Sequence, residues 1–382
     1  MYITRTQCIF CKTKLSTPYF ENDYENCVAH YCVDVSSSDT PHTIPFNILV
    51  CPQCKTAQTK YLGDINEIYK VNHADSTGST MMNLHKLTRV TLLKYKNKIN
   101  NILEIGSSVG VLADLILDEY STEYTIIEPT FYGNRTNKRI IDSYYENVED
   151  NEISANTLII SHVFEHFYNP LDILEKISKN KNITLFCLVF PDLEYYINNN
   201  ILHVLNTEHT YYIDNDFLVS MLKVYGFTLL EKINYVNHSV IFVVERSSLF
   251  MENNCISDIH EINFINENYS LDKYFSYIFN TVSLFNTTIV ENCDKQIYAW
   301  PSSIHILYLF IFGLKLSRVN LLDNSVNKIN KKIYGYDLIV YSFSKIVSED
   351  NPATIILING GIFNNDIKDM INNSKNIQFV GL

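Results

Sequence analysis

The sequence predicts an α/β protein in which a central doubly wound parallel sheet lies between a small cysteine-based module and a second α/β region. Three observations support this fold class. Residues 101–128 read as a strand, a glycine-containing turn, a helix and a second strand that ends in an acid. Strand and helix patterns alternate again after Gln296, and six of the nine cysteines fall within the first 54 residues. Such alternation is typical of parallel sheets covered by helices.

The composition is that of a globular protein with room for two or three cores. The 382 residues are 46% hydrophobic and 19% charged. A net charge of −12 argues against general binding to nucleic acid or anionic membranes. The first residues lack the apolar core of a signal peptide, and the longest apolar stretch, 304–314, is far below the roughly 20 residues of a membrane span. We expect a cytoplasmic protein that is a monomer or a weak dimer.

The first 70 residues contain two CxxC pairs, Cys8 with Cys11 and Cys51 with Cys54. Each pair lets one tight turn aim two sulfurs at one ion, and two such turns complete a four-sulfur structural zinc site. The alternative is a set of redox or incidental cysteines. In the zinc interpretation, the 39 residues between the two CxxC pairs form a small subdomain. We predict a zinc-binding module over residues 1–70, followed by a polar connector at 71–84.

The turn at residues 106–110 is the first candidate ligand site. It follows the apolar strand 101–105, and Gly106 and Gly110 allow a ligand to approach the backbone closely. The helix pattern after it covers 111–120. Glu128, 22 residues beyond Gly106, ends the next strand and is suited to hold two ribose hydroxyls.

The form E-x-G-x-x-x-G resembles motif I of class I S-adenosylmethionine (SAM) methyltransferases. The resemblance implies a Rossmann-like SAM-binding core, which we expect over residues 85–247. In that family the loop contacts the methionine part of SAM and the acid after the second strand holds the ribose. The alternative is a Rossmann-like domain without a cofactor. The expected cofactor-binding residues are Glu104, Gly106, Ser108, Gly110 and Glu128.

Two further segments indicate which group of methyltransferases the chain resembles. Residues 161–170 follow the fourth strand and contain a Glu-His pair that is common there in these methyltransferases. Residues 206–212, Asn-Thr-Glu-His-Thr-Tyr-Tyr, resemble the Glu-His segment of sugar C-methyltransferases that act on nucleotide-linked keto-sugars. Members of that family have a double-CxxC zinc module, a SAM domain and a C-terminal Rossmann-like domain, expected here over 286–382. In that last region, residues 320–325 and Lys328 resemble a family pattern.

The resemblance implies the catalytic residues. His209 is the expected base, with Glu208 and His166 assisting it, and Tyr69, Asn206 and His238 are the expected substrate contacts. Removal of a weakly acidic proton beside a ketone requires a base with a pKa near the working pH, which histidine provides. Each residue also has a structural interpretation. His166 and His238 are suited to packing as well, and Tyr69 to a linker.

Other functions remain open at this stage. Members of the family often carry a tyrosine where this chain has Asn206, so a sugar hydroxyl is an alternative acceptor, which would make the protein an O-methyltransferase. A non-catalytic SAM-fold scaffold is a second alternative. Methylation of nucleic acid is disfavoured by the acidic charge.

Overall fold

The structure, a computed structural model, describes residues 2–22, 25–27, 32–38, 43–69, 79–149, 152–235, 238–247, 270–302, 304–348, 354–358, 364–372 and 377–381. Most of the predicted connector, residues 71–78, lies outside these ranges. None of the helices in this described part of the chain is long and apolar enough to cross a membrane.

The N-terminal region consists of short strands and two matching cysteine turns. After each CxxC pair, the next residue, Lys12 or Lys55, donates its backbone N–H to the carbonyl of the first cysteine at 3.0 Å. Both lysines have a left-handed backbone, with φ values of 59° and 60°. The elements are β1 (Ile3–Thr4), β2 (Glu25–Cys27), β3 (Cys32–Asp34), β4 (Thr43–Pro45), β5 (Ile48–Val50), β6 (Ala57–Thr59), β7 (Tyr61–Leu62) and helix α1 (Ile65–Ile68).

A seven-stranded mixed sheet forms the centre of the molecule. Its strands are β8 (Asn101–Ile105), β9 (Glu123–Ile127), β10 (Arg139–Ile141), β11 (Thr157–Ser161), β12 (Leu185–Pro191), β14 (Phe227–Tyr235) and β15 (Ser239–Arg246). Their order is β10-β9-β8-β11-β12-β15-β14. All neighbours are parallel except that β15 is antiparallel to β12 and β14. The strand order reverses between β8 and β11, and doubly wound sheets bind ligands at the carboxyl ends of such strands.

Five helices accompany this sheet: α2 (Ser79–Leu93), α3 (Val111–Leu117), α4 (Pro170–Lys179), α5 (Leu193–Asn198) and α6 (Asn215–Val224). The helix after the glycine-containing turn therefore ends three residues before the predicted Tyr120. One further short strand, β13 (Tyr211–Tyr212), leaves the central sheet and pairs with β6 of the N-terminal region. This pairing joins the cysteine turns to the predicted catalytic segment.

The C-terminal region contains a second sheet, made of five parallel strands. Helix α7 (Leu271–Glu291) precedes it, and Ser270 caps that helix by accepting from the N–H of Lys273. The remaining elements are β16 (Gln296–Trp300), α8 (Ile304–Ile311), β17 (Val319–Leu322), β18 (Lys331–Ile333), β19 (Val340–Tyr341), α9 (Phe343–Ser348), β20 (Thr354–Ile358), α10 (Asn364–Asn372) and β21 (Ile377–Val380). The strands of the second sheet have the order β19-β17-β16-β20-β21.

The three regions share part of their core. One apolar cluster contains buried Ile48 of the N-terminal region, Tyr196 beside the central sheet, and Ile278 and Leu321 of the C-terminal region. Strand β18 also pairs with β3, across the two ends of the chain. Burial of apolar surface is the main stabilising term of a fold, so the regions stabilise one another. The expected domain boundaries stay predictions.

Candidate active site

The glycine-containing turn packs directly against the loop that follows β11. Gly106 and Gly110 have φ values of 73° and 80°, a region that side chains with a Cβ rarely adopt. A Cβ on Gly106 would lie 2.2 Å from Cγ2 of Val163, and one on Gly110 would lie 3.2 Å from the ring of Phe131. Both positions need glycine for conformation and for space. The turn therefore has the close-approach geometry that a bound nucleoside requires.

Glu128 is fixed beside this turn. Its carboxylate accepts from the backbone N–H of Ser108 at 3.0 Å and from that of Thr130 at 3.1 Å. The side chain is 8% exposed. The structure thus brings the predicted ribose-binding acid and the predicted loop together at the carboxyl ends of β8 and β9.

Glu104 has a different environment from the other predicted cofactor residues. It lies within β8, is 2% exposed, and accepts a hydrogen bond from the hydroxyl of Tyr124 at 2.7 Å. Burial raises its pKa to about 7, an effect that the Tyr124 hydrogen bond opposes. These contacts fix the carboxylate of Glu104 inside the sheet, and its predicted contact with the cofactor stays a prediction.

The predicted residues Tyr69, His166 and His209 meet in one cluster. The hydroxyl of Tyr69 and Nδ1 of His166 are 2.8 Å apart, and the rings of His166 and His209 are 5.0 Å apart at their centres. His166 follows β11 and His209 precedes β13, so the cluster joins two segments that are distant in sequence. It lies next to the turn because Val163, which contacts Gly106, is three residues from His166.

His209 is held as a neutral imidazole with a defined tautomer. Nδ1 lies 2.9 Å from the carbonyl oxygen of Val204, and since a carbonyl only accepts, Nδ1 carries the proton. Nε2 therefore carries the lone pair. Burial lowers the pKa of His209 to about 4, with a smaller contribution from His166, while Glu165 and Glu208 raise it. A neutral imidazole with a free lone pair can accept a proton, but this pKa lies below the value near the working pH that we expected of the base.

Asn206 positions the Glu-His pair. Its Oδ1 accepts from the backbone N–H groups of Glu208 at 2.9 Å and His209 at 2.7 Å, and its side chain is buried. The hydroxyl of Tyr212 donates to the carbonyl of Asn206 at 2.9 Å. The structure assigns Asn206 a turn-forming contact, and its predicted contact with substrate stays a prediction.

His238 lies beside His162, with ring centres 5.1 Å apart, and this contact was not predicted. Its Nδ1 is hydrogen-bonded to Oγ of Ser239, and that hydroxyl lies 2.8 Å from Nε2 of His162. Nδ1 of His162 is in turn 3.2 Å from Oε1 of Glu165. His162 also has a positive φ of 53°, a strained backbone of the kind found at functional sites. The pattern His-x-x-Glu-His at 162–166 was the signal for His162 and Glu165.

The four predicted zinc ligands form one cluster. Sγ of Cys8 is 3.5 Å from Sγ of Cys54, and Sγ of Cys11 is 3.4 Å from Sγ of Cys51. All four sulfurs lie within 4.8 Å of one another, and all four residues are buried. Zinc–sulfur bonds of 2.3 Å in a tetrahedron place sulfurs about 3.8 Å apart, so this donor set fits a structural zinc ion.

A buried arginine connects the N-terminal region to both histidine segments. The guanidinium of Arg5 donates to the carbonyl of Thr210, next to His209, and to that of Tyr168 at 3.0 Å. It also reaches the carbonyl of Thr59 in β6 at 3.4 Å. Burial lowers the pKa of Arg5 to about 10. No motif pointed to Arg5, because its partners are backbone atoms far along the chain.

The C-terminal pattern that resembles the family contains a buried ion pair. Asp323 accepts from Oγ of Ser302 at 2.9 Å, from the N–H of Ser325 at 2.9 Å and from Nζ of Lys328 at 3.1 Å. Asp323 follows β17 and Ser302 follows β16, at the carboxyl ends of neighbouring strands. These contacts satisfy the carboxylate within the chain.

The comparisons with known proteins agree with the central site. Residues 82–232 match a family described as a methyltransferase domain. The protein is a SAM-dependent methyltransferase. The match includes the glycine-containing turn, Glu128, His166 and His209, and it leaves out the four cysteines and the C-terminal sheet. SAM is therefore the methyl donor, and the fold is the Rossmann-like class I methyltransferase fold with a mixed sheet.

Two of the solved structures that match this chain are methyltransferases with low sequence identity to it. One is the 1,6-didemethyltoxoflavin-N1-methyltransferase of Burkholderia thailandensis, at 8% identity and a TM-score of 0.37, over 45% of this chain and 80% of that one. Another is the magnesium protoporphyrin IX methyltransferase of Synechocystis PCC 6803, at 12% identity and a TM-score of 0.35, over 47% of this chain and 89% of that one. None of the curated proteins compared with the chain matches it. TM-scores this low carry no weight for the acceptor.

Proposed function

We propose that this methyltransferase methylates a carbon atom of a nucleotide-linked keto-sugar, in surface-glycan or deoxysugar biosynthesis, with His209 as the base. One observation carries the proposal: the segment that packs on the SAM turn through Val163 also brings His166 to His209, with ring centres 5.0 Å apart. A base with a defined lone pair thus lies beside the methyl-donor site. The sugar comes from the resemblance of the Glu-His segment and of the CxxC and C-terminal patterns to the sugar family.

In this reaction His209 removes the proton next to the ketone. The proton goes to Nε2, and the electron pair of the C–H bond moves toward the ketone oxygen to form an enolate. SAM supplies the methyl group that the enolate carbon takes up. We assign to His166, held by Tyr69, the hydrogen bond to the developing enolate oxygen, and to Glu208 a contact with a sugar hydroxyl. Transfer itself requires alignment more than chemical assistance.

We also propose that Cys8, Cys11, Cys51 and Cys54 hold one structural zinc ion. The separations of the sulfurs and their complete set of four thiolates support it. A four-thiolate site leaves no open position for chemistry, so the ion stabilises the N-terminal region. That region in turn supports the segment after His209 through β6 and Arg5.

Methylation of a sugar hydroxyl is the second candidate, because Asn206 stands where the sugar C-methyltransferases often have a tyrosine. A base is needed in both reactions. The position of the new methyl group separates them: a methyl on carbon and a methyl on oxygen differ clearly in ¹³C chemical shift.

Two experiments test the proposal in sequence. Calorimetric titration with S-adenosylhomocysteine is expected to show micromolar binding by the wild type and at least tenfold weaker binding by Glu128→Ala, with Glu231→Ala on the surface of β14 as the matched control. Incubation with SAM carrying a ¹³C methyl group and a panel of nucleoside diphosphate keto-sugars is then expected to give a carbon-bound methyl. An oxygen-bound methyl would support the second candidate, and no transfer to any sugar would refute both.

A further inference from the structure

We infer that Glu165 is the counter-charge of His209: it stabilises the imidazolium that forms when His209 takes a proton. The inference rests on the proposed function, because it needs His209 to act as the base. Glu165 does not touch the reacting atoms in this account, so it is a positioning residue.

The tautomer of His209 makes this contact specific to the protonated state. With Nδ1–H bonded to Val204, the Nε2 lone pair lies 3.9 Å from Oε1 of Glu165. Two acceptors make no hydrogen bond. Once Nε2 takes the proton from the acceptor carbon, the imidazole ring becomes a cation with Nε2 3.9 Å from a carboxylate of opposite charge. Interactions that arise only as the reaction proceeds are the ones that accelerate it.

The surroundings of Glu165 favour a positively charged partner. Its side chain is 2% exposed, and Oε1 accepts from Nδ1 of His162 at 3.2 Å. Its other oxygen, Oε2, makes no hydrogen bond within the part of the chain that the structure describes. A buried carboxylate with so few donors is poorly compensated for its lost hydration, and a neighbouring imidazolium relieves this.

A chain of contacts also fixes Glu165 through His162. Nε2 of His162 lies 2.8 Å from Oγ of Ser239, which is fully buried at the start of β15. This arrangement orients the carboxylate in the way that a third group orients the base in hydrolase triads. Only the proton from the acceptor moves.

The charged groups around His209 define the test. Glu165 and His166 face it from the loop after β11, and Glu208 precedes it in its own segment. Both carboxylates raise the pKa of His209 and His166 lowers it, so the two glutamates can be compared by matched substitutions. Glu165, His166 and His209 also offer three donor atoms within 4.8 Å of one another. A divalent cation there would occupy the lone pair of His209, and metal analysis detects it.

The experiment measures the protonation of His209 by long-range ¹H–¹⁵N NMR on protein with ¹⁵N-labelled histidine, with the resonance assigned from His209→Asn. It needs no acceptor, so its outcome is independent of whether the sugar is correct. We expect the Nδ1–H tautomer in the wild type. We expect Glu165→Gln to lower the pKa of His209 by about one unit, Glu208→Gln by less, and Glu231→Gln not at all. Titration extends to the lowest pH at which S-adenosylhomocysteine still binds, which also serves as the folding check.

Glu165→Asp is the second variant, and it is expected to lower the pKa of His209 by less than Glu165→Gln does. With an acceptor in hand, Glu165→Gln is expected to lower kcat by about 10²–10⁴-fold with KM little changed, and to move the acid limb of the kcat profile to lower pH. The inference fails if the pKa of His209 is the same in the wild type and both Glu165 variants. It also fails if the wild type holds a metal ion beyond one zinc per chain that Glu165→Gln removes.

Discussion

The side chain of Val163 fills the space in front of Gly106, so closely that a Cβ on Gly106 would lie 2.2 Å from Val163 Cγ2. This contact joins the two halves of the candidate site. Gly106 begins the turn that we propose as the SAM site, and Val163 belongs to the loop that carries Glu165 and His166. A shift of either residue is therefore expected to affect both SAM binding and the histidine cluster.

Gly106→Ala is expected to weaken binding of S-adenosylhomocysteine at least tenfold and to lower the free energy of unfolding by about 2–3 kcal/mol. The substitution adds both the overlap with Val163 and the strain of a φ of 73°. Calorimetry and urea denaturation measure the two effects. The double variant with Val163→Ala removes the overlap and is expected to recover part of the loss, with about 1 kcal/mol of backbone strain remaining. No recovery at all would show that the overlap is not the cause.

Cys51→Ser is expected to release the zinc ion and to destabilise the whole chain, because a structural zinc site contributes folding energy directly. Zinc content per chain and the thermal midpoint measure this. Exposed Cys293→Ser is the matched control and should change neither. Methyl transfer is expected to fall as well, since β6 pairs with β13 two residues after His209. A wild-type protein that holds no zinc would contradict the interpretation of the four sulfurs.

Arg5→Met is expected to destabilise the protein by about 2–4 kcal/mol, because it removes a buried charged donor from the carbonyls of Thr210, Tyr168 and Thr59, of which Thr210 keeps its bonds from Thr59. Methyl transfer should fall more than affinity for S-adenosylhomocysteine, since the arginine contacts the histidine segments and not the turn. Arg318→Met offers the matched control: that arginine also bonds two carbonyls, of Ile289 and Cys293, in the C-terminal region. Equal loss of transfer in both variants would show that Arg5 has no particular effect on the site.

Stability is expected to fall as the pH drops from about 6.5 toward 4. Burial lowers the pKa of His162 to about 4, of His209 to about 4 and of His238 to about 3. Each of these histidines takes up a proton near pH 6.5 in the unfolded chain but only at lower pH in the fold. The free energy of unfolding therefore decreases below pH 6.5, by up to about 2 kcal/mol per histidine at pH 5. Urea denaturation at pH 7, 6 and 5 measures the slope. His238→Asn should reduce it, and a slope that His238→Asn leaves unchanged would contradict this origin.

Local patterns predicted much of the molecule. The two cysteine turns, the glycine-containing turn and the acid after the second strand depend on neighbours in sequence, and the structure forms all of them. The resemblance also named Tyr69, His166 and His209, which the fold brings together. The Asn206 contact was predictable too, since an asparagine that accepts from backbone groups two and three residues ahead is a common turn.

The remaining contacts depend on tertiary structure. Arg5 meets Thr210 across 205 positions, and His162 meets Ser239 across 77 positions. No local sequence pattern predicts such pairs, because only the tertiary fold determines which carbonyl or hydroxyl lies within hydrogen-bond distance of a given side chain. Glu165 was visible in the sequence as half of a Glu-His pair. Its role depends on the tautomer of His209, which is set by the carbonyl of Val204.

Hydrogen–deuterium exchange into the acceptor reports whether His209 removes the proton beside the ketone. Wild-type protein saturated with S-adenosylhomocysteine is incubated in deuterated water with a panel of nucleoside diphosphate keto-sugars, and mass spectrometry and NMR follow the proton beside the ketone. With His209 as the base, one sugar gains deuterium at that carbon at a rate that His209→Asn lowers by at least about 10²-fold. Equal exchange in the wild type and in His209→Asn, or methyl transfer to a sugar without exchange at that carbon in the wild type, would contradict the account.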